Sequence, residues 1–168
     1  STSNTKNGAY ALSVSQLATQ GKAIGGAAAT LAPVVTGNND TLSLTVDGVP
    51  ASITLAAGTY SATSLAAELQ SKINGITALS SAGIRVAVTQ SAGVLSIVSD
   101  RYGAASSVLI SGGTGMPDLF GTPAETAGVD VAGIIGAVAA TGSGQTLTGT
   151  GDSSGIALSL DALAISNH

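Results

Sequence analysis

Thr41-Leu-Ser-Leu-Thr-Val-Asp-Gly-Val-Pro-Ala-Ser-Ile-Thr-Leu55 alternates apolar and polar side chains around the pair Asp47-Gly48. An alternation of period two places Leu42, Leu44 and Val46 on one face of a strand and Ser43 and Thr45 on the other. Asp-Gly suits the tight turn of a hairpin, and Ile53 and Leu55 carry the apolar face into the return strand. The stretch predicts a β-hairpin with one buried face, hence a fold built on sheets.

Outward from the hairpin, the turn around Gly58 leads into Ala62 to Ile73, where Leu65, Leu69 and Ile73 recur every four residues. This spacing predicts one amphipathic helix, with Ser61 or Thr63 as N-cap and Asn74-Gly75 as its stop. Ile84 to Gln90 and Val94 to Ser99 read as strands joined through Ser91-Ala92-Gly93, and Ser107 to Ser111 as a further strand. Upstream, Tyr10 to Ser15 reads as a strand and Gln16 to Ile24 as a short helical turn. Gly25-Gly26, Pro33 and Thr36-Gly-Asn-Asn-Asp40 break regularity and set a lobe boundary near residue 36. Downstream come Gly112-Gly-Thr-Gly115, a single turn at Asp118-Leu-Phe-Gly121, and a Gly-, Thr- and Ser-rich segment with apolar patches at 131–138 and 156–165. The expected fold class is mainly β with one or two short helices (α+β).

Composition narrows function. The chain has 168 residues, 5 Lys and Arg against 9 Asp and Glu, and a net charge of -4, so it offers no basic footprint for nucleic acid or anionic membranes. Its aromatic residues are Tyr10, Tyr60, Tyr102 and Phe120, too few for a platform that stacks bases or sugar rings. There is no cysteine for a disulfide or a thiolate metal site. The longest apolar run, Val131 to Ala140, falls well short of the roughly 20 residues that span a bilayer. No charged and then apolar leader opens the chain, so a cleavable signal peptide is not expected, and the start at Ser1 suits a piece of something longer.

Several short motifs invite chemistry. Gly151-Asp-Ser-Ser-Gly155 matches the G-x-S-x-G pattern, in which Ser153 would need a histidine base, but the sequence has one histidine, the terminal His168. Gly144-Gln-Thr-Leu-Thr-Gly149 has phosphate-loop glycines without the lysine. Glycines 112, 113, 115, 142 and 144 precede no convincing helix, which argues against a dinucleotide fingerprint. Acidic residues are scattered, and Asp152 with Asp161 is too little for a metal site. Asn39-Asp40-Thr41 matches a glycosylation triplet and reads as a turn; Ser3-Asn-Thr-Lys6 matches an acylation pair in a polar terminus. No catalytic, cofactor-binding or metal-binding residue is expected, and no enzymatic activity.

Leu42 to Ile110 resembles the flagellar motif named for its Ile-Asn pair, through Ala66-Ala67, Ile73-Asn74, Gly83-Ile-Arg-Val86, Leu95-Ser-Ile-Val-Ser99 and Gly103. Gly8-Ala-Tyr-Ala-Leu-Ser-Val-Ser-Gln-Leu-Ala18 resembles the opening of the head in flagellar filament cap proteins (hook-associated protein 2). Asp130-Val-Ala-Gly-Ile-Ile-Gly136 and Ala139 to Gly149 are similar to the stretch leading back to the helical leg of that family. The heptad-patterned legs are missing, and Ile134-Ile-Gly136 stands where the family has Thr-Ile-Asn-Gly.

The resemblance implies two small β-rich lobes of antiparallel strands, one at 36–111 and a discontinuous one from 1–35 with 112–168. It further implies an extracellular, structural head of the flagellar cap that promotes assembly of exported flagellin at the distal filament end. Flagellin subunits and other copies of the cap protein are the implied partners. The isolated chain is expected to be a monomer, and the full-length protein with its legs a homo-oligomer. An outer domain of a flagellin, or an adhesin-like module binding host mucin, are the alternative readings.

Overall fold

The computed structural model describes residues 5–30 and 37–161. In chain order the strands and helices are β1 (Leu12–Gln16), β2 (Gln20–Ile24), β3 (Thr41–Val46), β4 (Val49–Thr54), α1 (Ala62–Asn74), α2 (Thr77–Ser81), β5 (Val86–Ser91), β6 (Val94–Tyr102), β7 (Val108–Gly112), α3 (Met116–Leu119), β8 (Ala124–Thr126), β9 (Ala132–Ile135), β10 (Val138–Ala139), β11 (Thr141–Ser143), β12 (Thr146–Thr148) and β13 (Ala157–Ser159). The fold is β-rich α+β, with antiparallel pairing and three helices among the described residues.

The chain forms two compact units: a larger one from Gln20–Arg101 and Ser106–Ala127, and a smaller one from Ser1–Thr19, Tyr102–Ala105 and Gly128–His168. Residues 20–30 and 112–127, expected in the second lobe, therefore belong with the larger unit; the expected boundary near 36 lies outside the described residues. The physical reason is the ladder between β2 and β8, Lys22 opposite Thr126 and Ile24 opposite Ala124, together with the complete burial of Phe120.

In the larger unit, β4-β3-β7 form one sheet and β5-β6-β2-β8 another. Asp47 and Gly48 both take positive φ, 48° and 83°, as the two-residue turn between β3 and β4 requires. Leu42, Leu44 and Val46 are buried, as their alternation predicts. Pro50 sits on β4 at the sheet edge, where its missing N–H costs no ladder bond. The β5–β6 loop is shorter than its sequence suggests: Ser91 already pairs with Val94, leaving Ala92-Gly93, also at positive φ, as the whole turn.

Helix α1 starts on a reciprocal cap, Ser64 N–H to Ser61 Oγ at 3.1 Å and Ser61 N–H to Ser64 Oγ at 2.9 Å. Its Leu65, Leu69 and Ile73 are buried in the core of this unit. At its end Asn74 behaves like a piece of strand: its Nδ2 donates to Val86 O and its Oδ1 accepts from Val86 N–H, both at 2.9 Å. One turn earlier, Gln70 Oε1 accepts from Val88 N–H at 2.9 Å. Two amide side chains at i and i+4 thus occupy hydrogen-bonding groups along the edge of β5 that would otherwise be open to another chain. This gives the Ile-Asn pair a division of labour, with Ile73 filling the core and Asn74 closing the sheet.

The expected helical turn at Gln16–Ile24 is replaced by strand β2. Gly21 N–H donates to Ser106 Oγ at 2.7 Å, and a Cβ on Gly21 would collide with the backbone of Ser106 and Ser107. Gly21 and Ala23 are the buried members of an alternating strand whose inward side chains are merely very small.

The smaller unit holds two three-stranded sheets, β1-β9-β10 and β11-β12-β13, around Ala18, Val131, Ile135, Leu147 and Leu160. β1 bulges between Val14 and Gln16 against β9. The excursion Tyr102–Ala105 is tied in by Gly103 N–H to Thr19 O at 2.9 Å and by Asp130, whose Oδ1 accepts from Ala104 N–H at 3.0 Å and Gly144 N–H at 2.7 Å.

Candidate functional site

Gly151-Asp-Ser-Ser-Gly155 forms a 3-10 turn at Gly151–Ser153 rather than an elbow between strand and helix. Ser153 is 2% exposed. Its Oγ lies 2.9 Å from Thr150 O and 3.5 Å from Ile135 O, so its hydrogen is engaged by backbone carbonyls rather than by a base. Gly149 packs so closely that a Cβ there would meet Ser153 Oγ. The hydroxyl plugs a turn and is withdrawn from solvent, which is the opposite of what nucleophilic attack needs.

The neighbouring Asp152 pairs with Lys6, Nζ to Oδ1 at 3.0 Å, and this hydrogen bond and charge raise the Lys6 pKa above its ordinary value. Both side chains are exposed, so the pair is weak support for stability. Tyr10 completes the clasp, its hydroxyl 2.7 Å from both Lys6 O and Asp152 O. Thr5 Oγ1 donates to Ser154 O.

The other sequence candidates disperse. Asn39 Nδ2 donates to Asp118 Oδ2 at 3.1 Å, within a turn before β3. Gly113 and Gly115 allow close backbone approach to Leu42 and to Asn39. Gly144 has positive φ in the turn between β11 and β12, and no helix follows it. Among the described residues, no three acidic or histidine side chains are grouped to hold a metal. Ser3 and His168 lie outside the described residues.

A concavity of about 230 Å³ in the larger unit was not anticipated; it is lined by Asp47, Ala82, Gly83, Ile84, Arg85, Asp100 and Arg101. The β5–β6 register, Val86 opposite Ser99, sets Arg85 across from Asp100, whose N–H donates to Arg85 O at 3.0 Å. Asp47 is committed to the fold: its two carboxylate oxygens accept from Ser99 Oγ at 2.8 Å and Ser107 N–H at 2.9 Å. Arg85 and Arg101 are exposed and make no ion pair among the described residues, whereas Lys6 and Lys72 do. Two of the chain's five cations therefore stand at one depression with their guanidinium donors available.

No protein-family model matches the sequence, and no curated protein matches it. Solved structures do. The D2-D3 domains of the flagellar cap protein FliD from Serratia marcescens match with a TM-score of 0.56 at 17% identity, over 90% of this chain and 85% of that one. The chain has the fold of a flagellar cap head. A second crystal form of the same FliD domains matches with a TM-score of 0.57. The D1-D2-D3 domains of Escherichia coli FliD match with a TM-score of 0.58 at 18% identity, over 89% of this chain and 47% of that one. At these identities the likeness to FliD is one of fold.

Proposed function

We propose that this chain is the head region of a flagellar filament cap, an extracellular structural part that sits at the distal filament end and promotes assembly of exported flagellin. The observation that carries this reading is the extent of the FliD match, 90% of this chain against 85% of a two-domain head. The buried Ser153 hydroxyl adds support for a role without catalysis.

The concavity at Arg85 and Arg101 is the surface we assign to contact with flagellin or a neighbouring head, through acceptor groups on the partner. Isolated, the chain is a monomer, and assembly into a ring rests on the legs of the full-length protein. The test is replacement of the D2-D3 domains of Serratia marcescens FliD by this chain, in cells lacking their own cap. Filament growth is the expected result. Cells that release flagellin into the medium without building filaments, while the chimera is exported intact, would refute the reading.

A further inference from the structure

We propose that Asn7 is a site of spontaneous deamidation and isoaspartate formation, and that the fold protects the two other places where the same chemistry threatens. Cyclisation needs a side-chain carbonyl carbon followed by a residue whose backbone nitrogen can swing onto it, and glycine is least hindered in doing so. The sequence offers Asn7-Gly8, Asn74-Gly75 and Asp47-Gly48.

These three pairs differ in what holds them. Asn74 has its carbonyl and amide both bonded to Val86, and Gly75 N–H is held by Ser71 O at 3.0 Å. Asp47 has both carboxylate oxygens bonded, one to Ser99 Oγ and the other to Ser107 N–H. Asn7 and Gly8 are exposed, Asn7 makes no hydrogen bond among the described residues, and a Cβ at Gly8 would meet nothing within 4 Å. The reactive geometry is open to one pair of the three.

The step balances within the chain and water. The Gly8 backbone nitrogen loses its proton to solvent base and forms a bond to Asn7 Cγ. The bond from Cγ to the side-chain nitrogen breaks, and ammonia leaves with the proton. Water then opens the cyclic imide at either carbonyl, giving aspartate, or isoaspartate with the main chain rerouted through the former side chain. Either product adds one negative charge beside Lys6, which is engaged with Asp152. Isoaspartate also lengthens the backbone between Lys6 and Tyr10, the two residues that clasp Asp152. The clasp becomes the part of the smaller unit that records the age of the protein.

The test is timed incubation of the chain in mildly alkaline buffer, with peptide mapping by mass spectrometry and an isoaspartate-specific methylation assay. Conversion at Asn7 should match that of a synthetic peptide covering residues 5–14, and should disappear in Asn7→Gln. Conversion at Asn74 should be at least about tenfold slower than at Asn7 in the folded chain, and should rise toward it in denaturant, because only local opening frees the Asn74 amide. Equal rates at Asn7 and Asn74 in the folded protein, or an Asn7 that stays intact while the peptide converts, would overturn the proposal.

Discussion

Replacing Asn74 by alanine should destabilise the larger unit. The side chain supplies one acceptor and one donor to Val86, each at 2.9 Å, and Val86 is 3% exposed. Truncation leaves the Val86 N–H and C=O without their partners, at about 1–3 kcal/mol for each stranded group, so a loss of about 2–6 kcal/mol is expected. For a unit of about 100 residues this corresponds to a fall in Tm of about 10 °C or more. The chain has no tryptophan, so urea unfolding is best followed by circular dichroism, with amide exchange at Val86 as the local probe. Asn74→Asp keeps the acceptor but sets a carboxylate against Val86 O, and should also destabilise. An Asn74→Ala midpoint within about 0.5 kcal/mol of the parent, the range of neutral surface changes, would show that water replaces both bonds and that the edge-sealing account is wrong.

Leu69→Ala should cost about 2–5 kcal/mol, since Leu69 is fully buried on α1; an unchanged thermal midpoint would remove that residue from the core. Ser153→Ala should lower stability by about 0.5–1.5 kcal/mol through the lost bond to Thr150 O, and leave any hydrolytic background untouched. A hydrolytic activity that vanishes with the hydroxyl would reverse the structural reading of this turn. Asp130→Ala frees the N–H groups of Ala104 and Gly144 and should raise amide exchange at both. Protection that persists there would mean other groups hold the 102–105 excursion.

The elements legible in the sequence are those with contrast between their faces. The β3–β4 hairpin sets Leu and Val against Ser and Thr, and α1 repeats Leu65, Leu69 and Ile73 on one side, so period and burial coincide. Strand β2 hid because its inward residues, Gly21 and Ala23, carry almost no hydrophobic signal. Helix α2, Thr77–Ser81, has one buried residue, Leu79, and no side-chain cap, leaving little for a pattern to catch. The arginine concavity depends on register: Arg85 and Arg101 come together because Val86 pairs with Ser99, which strand prediction alone does not specify. The seal at the β5 edge was present in the Ile-Asn pair and in Gln70, but an amide's partner is a tertiary fact.

The pairing of β2 with β8 has a consequence for the order in which this chain is expected to fold. Leu12 and Ile135, partners in the smaller unit, are about 120 residues apart in sequence, and closing so long a loop from the unfolded state is entropically slow. Once Lys22 lies opposite Thr126, the larger unit holds its own two chain ends side by side and delivers Thr19 and Gly128 as near neighbours. The remaining closure spans about 20 residues, 10 from Lys22 back to Leu12 and 9 from Thr126 on to Ile135, which lowers its entropic cost by roughly 2 kcal/mol. The larger unit is therefore expected to order first, and the strands of the smaller should gain amide protection second in a pulse-labelled refolding experiment.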